Sequence, residues 1–143
     1  MQTFLPYEDF TLSAQVLDYR RLGKQRVEAL QIYNVLVDNP TLQGKSYKGW
    51  LNHPAVLMWD GYVNALLLYK NKMIEEWLNR GYRNTMEWVI LPNSIEMPHW
   101  LGDDRVHSSH RSNLLRKDFK FYSKYEWEES PDLDYYWAVE QSK

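Results

Sequence analysis

Apolar positions recur along the chain with a helical period, and three stretches carry the pattern. From about Leu12 to Asp38, the residues Tyr19, Leu22, Ala29, Leu30, Tyr33, Leu36 and Val37 fall on one stripe when each residue is turned by about 100°, and Asn39-Pro40 ends the run. The opposite face carries Arg20, Arg21, Lys24, Glu28 and Gln31. From Pro54 to Leu78 a broader apolar surface includes Val56, Trp59, Tyr62, Leu66, Ile74 and Trp77. Pro54 suits a first helical turn there, and Arg80-Gly81 suits a stop. The middle of this stretch, ALLLY, is apolar nearly all round, which predicts the most buried element. A third, shorter helix is expected over about Ser108 to Lys117, with Ser108 or Ser109 as cap and Leu114-Leu115 facing inward. Between Tyr82 and Gly102 the turn residues Asn84, Pro92, Asn93 and Pro98 predict a loop, and an aromatic tail follows from Phe119 to Trp137. No strand pattern or internal repeat stands out. The pattern predicts an all-α, compact single domain spanning 1–143, with three main helices, long loops and an aromatic C-terminal tail.

Two residues break the first stripe. Arg26 falls inside it, where a guanidinium needs a carboxylate or several carbonyls; Asp103 or Asp104 is the expected partner. Gly23 costs about 1 kcal/mol relative to alanine in a helix interior, so it predicts a kink or the close approach of another backbone.

Composition narrows the function classes. With 143 residues, 44% of them hydrophobic, the chain fits one sizeable core. The absence of cysteine excludes disulfides and thiolate metal sites. The opening MQTFLPYEDF lacks the basic and apolar runs of a signal peptide, and no later segment approaches the about 18 apolar residues of a membrane span, so a cytoplasmic protein without a membrane partner is expected. The net charge of -2 hides a division along the chain. Arg105, Arg111, Arg116, Lys117, Lys120 and Lys124 face only Asp118 within residues 105–125, whereas the residues after Tyr125 are strongly acidic. Two basic clusters, one in DYRRLGKQRV and one around HSSHRSNLLRK, either form a single phosphate-facing surface or simply solvate two helices. His107 and His110 are spaced to share a helix face, but with only Asp103 and Asp104 nearby they suit phosphate contact and proton transfer better than a metal. Packing or capping is the structural alternative for each. His53 and His99, beside prolines, read as turn residues.

LGKQRVEALQI, GWLNHPAVLMW, IEEWLNRGY, WLGDDRVHSSHRSNLLRKD and FYSKYEW together resemble the bacterial and phage branch of the pyrimidine-dimer DNA glycosylase family, related to phage endonuclease V, from TFLPY to about Tyr136. The resemblance implies a compact all-α enzyme that bends double-stranded DNA, displaces a base from the stack and cuts the N-glycosidic bond. It implies no cofactor and no metal, and a nucleoid-associated monomer of bacterial or phage origin. In the family the nucleophile is the chain's own N-terminal amine, and an α-amine with a pKa near 7.7–8.0 is substantially neutral at physiological pH. Gln2 is too large for efficient removal of the initiator methionine, so Met1 is expected to supply that amine. The chemistry also needs a carboxylate beside the developing sugar cation, and cations on the flanking phosphates.

The family's catalytic glutamate directly follows an arginine in the first helix, and the position after Arg20 here is Arg21. The nearest acid on the same face is Glu28, two turns on, with Glu8 and Asp9 as other candidates. Arg20 matches a family arginine at the lesion's backbone and Lys24 stands where the family places another cation, while Arg111, Arg116 and Lys117 match only a general basic character. The expected catalytic set is Met1, Glu28 and His110. The expected DNA-contacting set is Arg20, Arg21, Lys24, Arg26, His107, Arg111, Arg116 and Lys117, with Arg111 and Lys117 converging on the first-helix cations. The expected activity is a glycosylase with AP-lyase action on damaged or modified pyrimidines through an N-terminal Schiff base. A noncatalytic DNA-binding module on the same fold is the alternative, and a helical protein that docks a partner through its aromatic tail is a third reading.

Overall fold

A computed structural model describes residues 2–38 and 52–139. The Asp9 carboxylate accepts the Leu12 N–H at 3.0 Å and starts α1, Phe10–Val16. The first helix expected from the periodicity is interrupted after α1, because Asp18 begins a new one. Its carboxylate accepts from the Arg21 N–H at 3.4 Å, and α2, Tyr19–Asp38, runs on from there. The second expected helix is also divided. α3, Pro54–Trp59, is capped by His53, whose Nδ1 accepts the Ala55 N–H at 3.0 Å. Gly61 then turns the chain with a left-handed φ of 87° before α4, Val63–Asn79. α5, Asp104–Lys117, starts earlier than Ser108 because Asp103 caps it, accepting from Arg105 N–H at 3.0 Å. α6, Phe119–Tyr122, leads into a single 3₁₀ turn, Ser123–Tyr125. The described residues hold no strand, and no helix among them is long and apolar enough to cross a membrane.

One core joins these elements. Leu22, Ala29 and Ile32 of α2 pack with Leu66, Tyr69 and Met73 of α4 and with Val106 and Leu114 of α5, all fully buried. Trp59 sits among aromatic edges, 6.3 Å from Phe10, 5.9 Å from Tyr69 and 5.1 Å from Trp100. The 82–102 loop is tied to α4 by side chains. Asn71 donates to Val89 O at 2.8 Å and accepts Val89 N–H at 3.1 Å, and the buried Lys70 Nζ donates to Glu87 O at 2.6 Å.

Gly23 does mark a close approach, but of a side chain. A Cβ at that position would lie 2.8 Å from Cζ3 of Trp77. The same indole carries the Arg26 guanidinium over its face at 4.3 Å and stacks on Tyr82 at 4.4 Å. Arg26 Nη1 donates to Asn84 Oδ1 at 2.5 Å and its Nε donates to Gly23 O at 3.2 Å. The expected acidic partner is therefore corrected to an amide and an indole. Asp103 is taken by Arg105 at 2.7 Å and Asp104 by Arg111 at 3.2 Å.

Gly23→Ala should destabilise the protein by about 1–2 kcal/mol in urea denaturation, overpacking against Trp77 outweighing the gain in helix propensity. In a Trp77→Ala background the same change should be neutral or stabilising.

Candidate active site

The chain enters the domain as an extended arm, and no strand lies beside it among the described residues. Its buried N–H and C=O groups must then be paired by side chains. Gln25 of α2 does this in both directions, accepting the Phe4 N–H at 2.9 Å and donating to Gln2 O at 3.0 Å. The Tyr69 hydroxyl proton is shared between Phe4 O at 2.7 Å and Gln25 Oε1 at 2.6 Å. Trp59 Nε1 donates to Thr3 Oγ1 at 3.1 Å, Arg111 Nη1 donates to Pro6 O at 2.7 Å, and Ser13 Oγ accepts the Tyr7 N–H at 3.1 Å.

Both α5 histidines belong to this scaffold. His107 Nε2 accepts the Gly102 N–H at 2.9 Å, so Nδ1 carries the proton and donates to Leu5 O at 2.7 Å. His110 Nδ1 accepts the Leu5 N–H at 2.9 Å, which leaves the proton of the neutral ring on Nε2, 3.2 Å from the Gln2 amide. The Gln2 atom at that distance is Nε2, while its Oε1 is buried without a partner, so a half-turn of the amide would bring an acceptor to that N–H. Burial, then His107 and Arg111, push the His110 pKa down to about 3. His107 is 4% exposed and His110 2% exposed, so neither reaches the surface on which a phosphate would lie. His107, expected at DNA, is bound through both ring nitrogens to Gly102 and to Leu5 of the arm. His110 is likewise bound by the arm through both ring nitrogens. The described residues contain no group of three or more histidines and acids able to hold a metal ion.

A cleft of about 390 Å³ opens where the arm meets α2. Phe4 and Tyr135 line its apolar part with ring centroids 6.4 Å apart, and Arg20, Arg21, Lys24 and Lys117 surround it. Glu28 is the one acid among its lining residues, and its Oε1 accepts the Gln2 N–H at 2.6 Å. Met1 lies outside the described residues. The other two candidate acids lie elsewhere: Asp9 caps α1, and Glu8 packs against Gly102. A larger cleft of about 640 Å³, lined by Tyr62, Trp100, Arg105 and Tyr136, includes no residue of the arm.

Cations sort into two groups. Arg111 bonds Glu129 at 2.7 Å and Asp104 at 3.2 Å. Burial opposes the charge on both Arg111 and Glu129, and their mutual ion pair overcomes it, raising the arginine's pKa and lowering the glutamate's. Arg116 is spent on Asn113 Oδ1 and on the Pro131 and Leu133 carbonyls at 3.2 and 3.4 Å. Ser109 and Ser112 accept the Tyr136 and Leu133 N–H groups at 3.1 and 2.9 Å. The α5 string therefore fastens the arm on one side and the tail on the other, which removes Arg111 from the expected convergence. Lys117 does join Arg20, Arg21 and Lys24 at the cleft. Lys24, Lys117 and Lys120 are exposed and form no ion pair among the described residues, and Arg20 meets only the Tyr19 hydroxyl at 3.2 Å and that residue's ring. Gln25, Phe4 and Tyr135 were not foreseen at the site. Only Tyr135 had a signal, as part of the aromatic tail.

A family model described as pyrimidine dimer DNA glycosylase matches residues 1–90, which take in the arm, α2 and Glu28 but stop before α5. No curated protein and no solved structure matches the chain.

His110 is neutral in the fold, so an unfolded chain takes up a proton that the folded one refuses. Its contribution is complete above the ordinary pKa of 6.5 and is lost progressively as pH falls toward about 3. Chemical denaturation should show stability declining through that window at up to about 1.4 kcal/mol per pH unit from this group. His110→Asn should flatten the decline. An undiminished slope in that variant overturns the assignment.

Proposed function

The chain belongs to the pyrimidine dimer DNA glycosylase family, and on that basis we propose a DNA glycosylase with AP-lyase activity that excises a dimerised or otherwise modified pyrimidine from duplex DNA through a Schiff base on its N-terminal amine. The observation that supports this chemistry is the 2.6 Å bond from the Gln2 N–H to Glu28 Oε1. Gln2 directly follows Met1, so the carboxylate is one residue away from the amine in a cleft that opens to solvent between cations.

In this reading the Met1 amine attacks C1′ of an extruded nucleotide. The N–C1′ bond forms as the glycosidic bond breaks, the base departs with its bonding electrons, and the amine gives up a proton. Opening of the C1′–O4′ bond yields the iminium. Glu28 faces the positive charge that develops on the sugar and then on the iminium, a preorganised anion where charge appears. Loss of a C2′ proton expels the 3′ phosphate, and water releases the amine. His110 holds the arm, and so the amine, in place. Arg20, Arg21, Lys24 and Lys117 take the phosphates on either side, since few acids compete for them.

Borohydride should trap the protein covalently on duplex DNA bearing an abasic site, and an N-terminal extension left in place should abolish the adduct. Glu28→Gln should slow turnover by about 10²–10³-fold while leaving DNA affinity within about threefold. Full trapping by an extended chain would remove the terminal amine from the mechanism and make Lys24 the next nucleophile to test. Tight, salt-sensitive binding without any adduct would leave a DNA-binding module on this fold.

The charge sorting has its own test. Lys24→Ala with Lys117→Ala should reduce the slope of log affinity against log salt by about 2, roughly one unit per lost phosphate contact. Arg111→Ala should instead lower stability and leave that slope unchanged.

A further inference from the structure

Phe119 is 61% exposed, more than any other aromatic side chain among the described residues. It enters no ring contact there, whereas just beyond it Tyr122 and Tyr125 stack on Trp127 and Phe121 meets both tyrosines edge-on. Its place is nevertheless fixed. Asp118 closes α5 with its N–H on Leu114 O at 3.0 Å and opens α6 by accepting the Phe121 N–H at 3.1 Å, so Phe119 is the first residue of a redirected helix. That helix is held down by Tyr122, fully buried, whose hydroxyl donates to Asp18. The same Asp18 oxygen binds Arg21 of the cleft at 3.1 Å. The ring is therefore tied to the cleft through a shared carboxylate. In sequence it is flanked by Lys117, which lines the cleft, and Lys120, neither ion-paired among the described residues.

An exposed apolar ring flanked in sequence by two unpaired cations is complementary to a duplex opened at one step, where exposed base faces lie between phosphates. Resting on the reading of this chain as a DNA glycosylase, we propose that Phe119 is a wedge. It inserts into the base stack beside the displaced nucleotide while Lys117 and Lys120 hold the flanking phosphates. The unstacking that extrusion demands is then offset by burying a phenyl ring that water surrounds in the free protein.

Three readouts on Phe119→Ala and Phe119→Trp test this, with a duplex carrying a thymine dimer and 2-aminopurine beside it, and a second duplex with a preformed abasic site. Wild type should raise 2-aminopurine fluorescence on binding. Phe119→Ala should lose that rise and excise the dimer at least about tenfold more slowly, yet trap on the abasic duplex within about threefold of wild type. Phe119→Trp should keep all three signals. The wedge is overturned by an unchanged fluorescence rise in Phe119→Ala, by no rise in wild type, or by equal losses on both substrates, which would mark a general docking residue or one that serves a protein partner. Wild type that fails to trap but shows a Phe119-dependent rise would sink the lyase reading and leave the wedge standing.

Discussion

An extended arm, buried with no strand beside it among the described residues, is the constraint on which the rest of this structure depends. A buried amide left unpaired costs about 1–3 kcal/mol, and the arm carries several such groups in succession. Gln25, Tyr69, His107, His110 and Arg111 supply the missing partners from three helices. Those bonds also set the register. A slip of one residue would turn every side chain of the arm to the wrong face and leave the anchors facing the wrong atoms. The result is that the Gln2 N–H is held on Glu28 at 2.6 Å.

The same constraint explains why α5 is buried yet polar. His107, Ser109, His110, Ser112 and Asn113 are all nearly inaccessible, and each bonds to the arm, the tail or the backbone of α5. It also explains the electrostatics of the surface. Arg111 is ion-paired with Glu129 and Asp104 beside the arm, and Arg116, though exposed, is hydrogen-bonded to carbonyls of the tail. Arg20, Lys24 and Lys117, which form no ion pair among the described residues, lie around the cleft although the net charge of the whole chain is -2.

Periodicity made the helices legible, because each buries one stripe, and ALLLY was rightly read as deeply buried apart from the half-buried Leu68. The breaks at Asp18 and Gly61 were not legible, since the apolar phase carries straight across them. Glu28 stood out as the acid on the cationic face of α2, but its contact with Gln2 joins residues 26 apart in sequence, and nothing in local spacing encodes it. The α5 string is ambiguous for a related reason. Histidines and arginines that bind DNA and those that bind a buried backbone look the same in sequence, and only the arm's path distinguishes them.

At position 21 the fold accounts for an arginine. The resemblance places the family's glutamate there, yet Asp18 occupies that corner, with burial raising its pKa and the bonds from Tyr122 and Arg21 more than reversing the effect. A glutamate at 21 would face that carboxylate three residues away on the same helix, each anion disfavouring the other. Arginine satisfies the corner instead. The arm continues past Gln25 to the next carboxylate of the face, about 10 Å further along the helix at 1.5 Å per residue, so the Gln2–Glu28 bond and the Asp18–Arg21 pair are two consequences of one arrangement.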